Sequence, residues 1–308
     1  MSLVIAPCFR PDDLASLRAL ARDPSLAHEF EPLQTDEGFD DLMGDPFVPP
    51  ELRWIAFVGG TPVGFAFSFL APTHDGSFAM ARIGVIERAR RQGVGTALLA
   101  ATGAAIEPMR ERLGLRELSI SAWEPNRAAA AFAAEHGFQH ARDFWRMERP
   151  RGPVALPTWP GGVNARPFDG SERSLLDFNR SYNLAFAEHY HYVRSSVEDT
   201  RALLSKSTFR PEGLALAYRD GECVGFCRNA RFGDPGEVAL IGVVPDARGI
   251  GLGRALLRWG VSWLQNTEAN PIYLMVDGEN ESALSLYRSE GFALARTRHH
   301  WSRPVAGD

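Results

Sequence analysis

Cysteine is scarce in this sequence, and its scarcity excludes several classes of protein. The 308 residues include three cysteines, Cys8, Cys223 and Cys227. Such an odd and sparse set offers no disulfide framework and is typical of a reducing compartment. No second pair of cysteines or histidines is spaced to complete a zinc site with Cys223 and Cys227. We therefore interpret them as small core residues and expect no bound metal.

Long apolar runs and an excess of one charge are also missing. No stretch approaches the roughly 20 apolar residues that cross a bilayer, and the N-terminus lacks the basic and apolar regions of a signal peptide. The formal net charge is −5, and the 33 basic residues are scattered along the chain. We therefore expect a cytoplasmic protein with no membrane partner and no nucleic-acid partner.

The sequence does contain an internal repeat. The segment that begins at Ile83 reads IGVIERARRQGVGTAL, and the segment that begins at Ile241, 158 residues later, reads IGVVPDARGIGLGRAL. In each half an asparagine then precedes a Gly-Phe pair by eleven residues, Asn126 in the first half and Asn280 in the second. Such self-similarity predicts two related modules.

A segment rich in proline and glycine separates the two copies. Residues 150–162 contain four prolines and three glycines, a composition that is typical of a linker. We therefore predict an N-terminal domain over residues 1–150, a linker over residues 151–161 and a C-terminal domain over residues 162–308.

The two halves show the same order of predicted elements. A strand and two helices come first, then an antiparallel meander, then helix, strand, helix and strand. Hairpin turns are predicted at Gly59-Gly60 and at Asp220-Gly221, and one long helix is predicted over residues 96–113. The pattern indicates an α/β fold of the α+β mixed-sheet type, in which each domain is a mostly antiparallel twisted sheet flanked by helices.

A glycine-rich loop follows the repeated strand in each half. Glycines let several backbone N–H groups point into one concavity, and the following helix adds the positive end of its dipole. A Walker loop would need Gly-Lys-Ser/Thr, and a dinucleotide fingerprint would need Gly-x-Gly-x-x-Gly; neither is present. A turn that only caps a helix is the remaining alternative. The candidate phosphate-binding residues are Arg248, Gly249, Ile250, Gly251, Leu252, Gly253 and Arg254, with Arg90, Arg91, Gln92, Gly93, Val94, Gly95 and Thr96 in the first half.

These motifs resemble the GNAT superfamily of acyl-CoA N-acyltransferases. The resemblance rests on VxPxxRGxGxG before an amphipathic helix and on NxxAxxLYxxxGF, which occupies residues 280–292. It covers both halves and is most specific in the second. It implies that acetyl-CoA is the acyl donor and that the loop holds its pyrophosphate. It also implies that further residues contact the donor, namely Ile241, Gly242, Val243 and Asn280, with Ile83, Gly84 and Val85 in the first half.

The resemblance further implies two catalytic side chains in the second half. Tyr287 stands where the superfamily has its usual general acid, and Glu237 stands where a general base is frequent. The equivalent positions of the first half hold Ala133 and Ala79, so we expect that module to be catalytically degenerate. Two other interpretations remain open, because Tyr287 also suits a half-buried core aromatic and Glu237 a solvated charge. We expect an oxyanion donor in the backbone near Gly242, which suggests a local irregularity of the strand.

An aromatic and histidine-rich stretch is the candidate acceptor site. Tyr182, Phe186 and His189 belong to it, and they suit either the lining of an acceptor pocket or a packed loop. The tandem layout, AFAEH and GEV also resemble the mycothiol synthase family of tandem GNAT enzymes, from which the architecture carries over and the substrate does not.

The sequence thus predicts an N-acetyltransferase. Its substrate would be a small molecule with a primary amine, which attacks acetyl-CoA directly in a ternary complex. The alternative is a non-catalytic acyl-CoA-binding sensor or scaffold. Either protein would be a monomer or a homodimer, and the sequence does not identify the amine.

Overall fold

The computed structural model describes residues 2–73, 76–231 and 233–305, so the outermost ends of the two predicted domains, residue 1 and residues 306–308, lie outside it. The chain forms two compact units. The first unit contains residues 1–142 and 298–308, and the second unit contains residues 143–297.

The first unit is built around a mixed sheet with the strand order β1-β2-β3-β4-β5. Strands β4 and β5 run parallel, and the earlier neighbours run antiparallel. Residues 298–304 pair antiparallel with β5. Its strands and helices are β1 Leu3–Pro7, α1 Pro11–Ala21, α2 Asp36–Met43, β2 Arg53–Val58, β3 Thr61–Thr73, β4 Gly76–Val85, α3 Val94–Ile106, α4 Arg110–Leu113, β5 Leu115–Trp123 and α5 Arg127–Glu135.

The second unit has the same arrangement. Strands β7-β8-β9-β10-β11 are neighbours in this order, β10 and β11 run parallel, and residues 144–149 of β6 pair antiparallel with β11. The remaining elements of the chain are β6 Gln139–Arg149, β7 Val163–Pro167, α6 Glu172–Phe186, α7 Val197–Leu204, β8 Leu214–Arg219, β9 Glu222–Arg231, β10 Gly236–Val243, α8 Leu252–Asn266, β11 Ile272–Asp277, α9 Glu281–Ser289 and β12 Ala293–Pro304.

The limits of the units differ from the predicted domain limits. Residues 143–149 lie before the proline-rich segment, yet they belong to the second unit, and residues 298–305 belong to the first. The reason is strand pairing, because β11 takes its second neighbour from β6 and β5 takes its second neighbour from β12. Residues 150–160 contain no helix or strand.

Local sequence explains several elements directly. Both predicted hairpins are two-residue turns with positive φ at the two central residues, 57° and 81° at Gly59-Gly60 and 53° and 82° at Asp220-Gly221, as a type I′ turn requires. The predicted helix over residues 96–113 is wrong as one element. It is interrupted around Pro108, where residues 107–109 form a 3-10 turn, because proline has no N–H for the helical ladder and clashes with the preceding turn.

Helix α8 joins the glycine-rich loop to the core of the second unit. Its buried side chains, among them Leu252, Leu256 and Leu264, pack into one apolar cluster with Cys227 of β9 and Leu274 of β11. Such a stripe of apolar side chains fixes one helix face against a sheet. The N-terminus of α8 is thereby held at the end of β10.

Nothing in the described parts of the chain combines the helix length and the hydropathy that a membrane crossing requires.

A close approach of α8 to the sheet makes one glycine testable. A Cβ on Gly260 would lie 2.7 Å from the sulfur of Cys227 and 2.9 Å from Oδ1 of Asn229. We expect Gly260→Ala to lower the free energy of unfolding by about 1–3 kcal/mol through overpacking. Gly103 of α3 meets nothing within 4 Å, so Gly103→Ala is expected to raise it by about 0.5–1 kcal/mol. Urea denaturation of both variants checks this, and equal effects of the two substitutions would contradict the packing argument.

Candidate active site

Strands β10 and β11 of the second unit separate after a short paired stretch. Among the described residues they pair only at Gly236 with Ile272 and at Glu237 with Tyr273, although both strands continue beyond these pairs. The backbone N–H of Val244 donates to the carbonyl of Val224 on β9 at 3.0 Å. Because strand groups alternate in direction, those of Ile241 and Val243 face the opening towards β11.

A bulge on β10 accompanies this separation, but not at the expected residue. The register with β9 shifts between Val238 and Leu240, so Ala239 is the extra residue and the expected irregularity at Gly242 is wrong. Gly242 pairs regularly with Phe226. A Cβ on Gly242 would lie 2.5 Å from Cζ of Phe226, so this glycine permits close packing of an aromatic ring.

The glycine-rich loop lies at the end of β10, where α8 begins. Gly249 and Gly251 have φ values of 79° and 87°, a left-handed conformation that side chains other than glycine disfavour. Gly251 is the N-cap of α8, and no side chain caps the helix. The N–H groups of the first turn therefore point out of the helix without a capping partner, which is the arrangement that binds phosphate.

The loop arginines already have partners within the protein. Arg248 donates to the carbonyls of Val243 at 3.3 Å and Ala185 at 3.1 Å, and it pairs with Glu188 at 3.0 Å. Arg254 pairs with Glu290 at 2.6 Å. In the first unit Arg90 donates to the carbonyl of Val85, at the end of β4, and to the carbonyl of Ser25, after α1. These bonds brace the loop, and phosphate contact by Arg90, Arg248 and Arg254 stays a prediction.

Glu237 lies on the last paired rung before β10 and β11 separate. Tyr273, its neighbour on β11, hydrogen-bonds its carboxyl group. Burial raises the pKa of Glu237 above the ordinary range, while the positive charges of Arg228 and Arg146 and the hydrogen bond from Tyr273 oppose that rise. A carboxylate whose pKa is raised towards neutrality is a better proton acceptor than an exposed one.

Tyr287 lies on α9 and reaches the same strands from the opposite face. It is 7% exposed and belongs to the apolar cluster of Leu274 and Val276, which alternate along β11 with the Tyr273 that bonds Glu237. Burial raises the pKa of the Tyr287 hydroxyl, so this group stays protonated at neutral pH. The two candidate catalytic residues thus flank β11 from its two faces.

The predicted acceptor residues come together in one aromatic row. The rings of Tyr182 and Phe186 stack with centroids 5.0 Å apart, and the Phe186 and His189 rings are 4.5 Å apart. Both rings also pack near the ring of Phe226 on β9, with centroid distances of 6.4 Å from Tyr182 and 6.1 Å from Phe186. Burial and, after it, the charge of Arg248 lower the pKa of His189, so its ring is neutral at pH 7.

The sequence did not reveal all residues of this site. The structure adds Phe226, Arg228 and Tyr273, which lie on the same face as Glu237 or beside its strand. Nothing in the sequence distinguishes them from other strand residues. Arg146 lies before the predicted linker, so the domain prediction placed it in the other module. Register across four strands brings these residues together, and a single sequence carries no signal of that register.

The first unit has the same scaffold with different side chains. Ala79 and Ala133 are buried at the positions equivalent to Glu237 and Tyr287, and the β3–β4 ladder has no register shift within the described residues. Arg91, with φ of 61°, takes the place of Gly249.

An acidic side chain lies where β4 and β5 of the first unit separate. Beyond the pair of Ala81 with Ile120 the two strands no longer pair within the described residues. The carboxylate of Glu29 there accepts bonds from the Trp123 N–H at 3.2 Å and from Nδ2 of Asn126 at 3.0 Å. Donor contacts by Ile83, Gly84 and Val85 beside this cleft stay a prediction, as do those of the loop residues.

Asn280 was predicted to contact acetyl-CoA, and the structure shows that it also caps a helix. Its side chain accepts from the N–H of Ala283 at 3.1 Å and caps α9. We expect Asn280→Ala to cost about 1 kcal/mol of stability and to weaken acetyl-CoA binding. Asn280→Asp keeps the cap and loses only affinity. Denaturation and calorimetric titration separate the two effects, with Asn126→Ala as the matched cap of the first unit. Unchanged affinity in Asn280→Asp would leave Asn280 as a cap alone.

Comparisons with known proteins place this geometry in a family. The model of the acetyltransferase (GNAT) family matches residues 15–138 and 177–292. A mycothiol acetyltransferase of Thermomonospora curvata is 38% identical over 73% of this chain and 74% of its own length. Another, from Catenulispora acidiphila, is 32% identical over 91% of this chain and 92% of its own.

Solved structures share the fold at low sequence identity. A GCN5-related N-acetyltransferase from Sphaerobacter thermophilus superposes with a TM-score of 0.74 at 20% identity, covering 99% of this chain and 96% of its own. A tandem GNAT protein from the clavulanic acid biosynthesis pathway gives a TM-score of 0.74 at 18% identity over the whole of both chains. With two matches of the family model, relatives above 30% identity and the cleft between β10 and β11, the chain belongs to the acetyltransferase (GNAT) family and carries its domain twice.

Proposed function

We propose that this enzyme transfers an acetyl group from acetyl-CoA to the primary amine of a small molecule, and that the second unit performs the reaction. The observation that carries the proposal is the opening between β10 and β11. It has an uncapped helix N-terminus at one end and Glu237 at the other. A long ligand with a pyrophosphate at one end and a reactive thioester at the other matches that arrangement.

The donor would bind mainly through the backbone. The pyrophosphate would lie against the N–H groups of residues 249–254, where the helix dipole of α8 favours negative charge. The amide groups of the pantetheine arm would pair with Ile241 and Val243, whose backbone faces the opening. Such pairing extends the sheet by one strand-like segment.

The chemistry would be direct attack in a ternary complex. Glu237 takes a proton from the ammonium form of the acceptor, and the free amine forms a bond with the thioester carbonyl carbon. A backbone N–H of the open β10 edge stabilises the oxyanion. The C–S bond then breaks, and the CoA thiolate receives its proton from the Tyr287 hydroxyl. The attacking nitrogen loses its second proton as the amide forms, and this proton restores the Tyr287 hydroxyl. The amide, CoA and a proton held by Glu237 account for all atoms.

The first unit would not perform this chemistry. Ala79 and Ala133 offer neither a proton acceptor nor a proton donor, and both are buried. We propose that residues of this module support the fold of the enzyme and that turnover belongs to the second unit.

The relatives name an acceptor to test first. Both relatives described above are called mycothiol acetyltransferase, and they match 73% and 91% of this chain. We propose the unacetylated amine precursor of mycothiol as the acceptor. The aromatic row of Tyr182, Phe186 and His189 offers apolar faces for such a molecule, and the neutral ring of His189 adds a hydrogen-bonding group.

The first test is turnover itself. The purified enzyme, acetyl-CoA and a panel of primary amines including that precursor should yield an acetylated product by mass spectrometry, with one CoA thiol released per product.

Gly251→Ala should weaken acetyl-CoA binding in calorimetric titration, because alanine strains the left-handed N-cap of α8. Gly162→Ala, at another left-handed glycine in the segment before β7, is the control. No binding at millimolar acetyl-CoA would contradict the proposal.

The second test concerns the two catalytic side chains. Tyr287→Phe should lower kcat more than about tenfold and leave the Kd for acetyl-CoA nearly unchanged, since the hydroxyl acts in the transition state. Glu237→Gln should lower kcat/KM for the amine by about 100-fold or more. Tyr218→Phe on β8, which removes a hydroxyl that donates to Asp177 of α6, is the control. Turnover unchanged in Tyr287→Phe would remove this residue from the mechanism.

A further inference from the structure

A row of polar side chains crosses the sheet of the second unit beside Glu237. Directly paired residues point to the same face of a sheet. Glu237 pairs with Tyr273, and Tyr273 pairs with Glu148 of β6. Arg146, two residues from Glu148 on β6, lies on that face as well. On the other side of Glu237, Arg228 of β9 faces the same way as Ala230, with which Glu237 pairs.

The contacts within this row link Arg146 to the carboxyl group of Glu237 through Tyr273. The Tyr273 hydroxyl bonds that carboxyl group. The guanidinium of Arg146 lies 3.9 Å from the centre of the Tyr273 ring and pairs with Glu148 at 2.7 Å. Arg146 is only 6% exposed, and a buried charge is costly unless its partners hold it in place. The ring of Tyr273 is therefore fixed between Arg146 and the carboxyl group that it bonds.

We propose that Tyr273 and Arg146 are positioning residues for Glu237. Tyr273 orients the carboxylate towards the acceptor amine, and Arg146 holds the Tyr273 ring and supplies positive charge. This inference rests on the proposed role of Glu237 as the general base, and it assigns a function to two residues outside the family motifs quoted above.

The electrostatics of the row give the sign of the effect. The charged and titratable groups on the face of Glu237 are Arg228 on β9, Tyr273 on β11, and Arg146 with its ion-pair partner Glu148 on β6. A hydrogen bond to the carboxylate and a nearby positive charge both stabilise its ionised form. They oppose the burial that raises the pKa of Glu237 and keep a larger share of the base ionised at neutral pH.

Arg146 lies outside the half of the chain that contains Glu237. Residues 143–149 precede the proline-rich segment, yet they belong to the second unit through the pairing of β6 with β11. The general base of the C-terminal module is therefore set by a residue that the linear order assigns to the N-terminal half.

The experiment is the pH dependence of kcat/KM for the amine, measured on the full-length enzyme. The acid limb reports loss of the ionised base. Arg146→Gln should move this limb to higher pH by about one unit, so that activity falls about tenfold below the limb and recovers above it. Tyr273→Phe should move it in the same direction by less, and Arg146→Lys, which keeps the charge, should lie near the wild type. The ionisation of the amine is common to all variants, so differences belong to the enzyme.

Controls separate positioning from loss of structure. Arg201→Gln on α7, which breaks an exposed pair with Glu172, and Tyr218→Phe on β8 should leave the limb unchanged. A lower rate at every pH with an unmoved limb in both Arg146→Gln and Tyr273→Phe would overturn the inference and leave these residues a purely structural role.

A second readout does not depend on turnover. In protein labelled with ¹³C at the glutamate carboxyl carbons, the Glu237 signal is identified by its loss in Glu237→Gln. Its titration midpoint should rise in Arg146→Gln and Tyr273→Phe, and an unchanged midpoint in both would refute the inference. If no amine is acetylated while the midpoint rises, the proposed function fails and the coupling of Tyr273 and Arg146 to Glu237 stands.

Discussion

The separation of β10 from β11 is the constraint on which the site of the second unit depends. A parallel pair normally continues along the length of both strands, and buried backbone groups without partners are costly. Here the pairing stops at Glu237 and Tyr273, and the bulge at Ala239 bends β10 at that point. The same rung thus opens the cleft and fixes the candidate base at its inner end.

The two units share one part of this arrangement and differ in another. In both units an arginine after the strand bonds the last carbonyl of that strand and a carbonyl near the end of the first helix, Arg90 in the first and Arg248 in the second. The helix after the loop begins at a left-handed glycine in both. Where the second unit has Glu237 and Tyr287, the first has buried alanines. Both units therefore keep the loop and its bracing bonds, although the candidate catalytic side chains lie in the second unit.

The sequence predicted the local features well, because they depend on neighbouring residues. The hairpins at Gly59-Gly60 and Asp220-Gly221, the loop at residues 248–253 and the repeated order of elements follow from turn chemistry and periodicity. Its failures have physical causes of two kinds. Pro108 interrupts the helix that apolar periodicity predicted as one element over residues 96–113. Gly242 reflects the ring of Phe226 packed against it rather than a bulge, and that contact joins residues far apart in the chain.

The site was predictable only where a motif marked it. Tyr287, Glu237 and the aromatic row could be named from their positions relative to the loop, and the structure places each in the second unit. Arg146 and Tyr273 carried no such mark, since their relevance to Glu237 arises from pairing between β6 and β11. Strand register is set by the burial of whole faces and by non-local pairing, which a reading of consecutive residues does not contain.

Strands β6 and β12 each contain residues of both units. This limits where the gene can be divided into two parts that fold. A gene cut within the proline-rich segment would separate Arg146 from Glu237 and residues 298–304 from β5, so neither product would carry a full set of strands. Each half of the gene therefore encodes the last strand of the other unit's sheet. Substitutions in the first half of the gene are then constrained by the candidate site that the second half encodes.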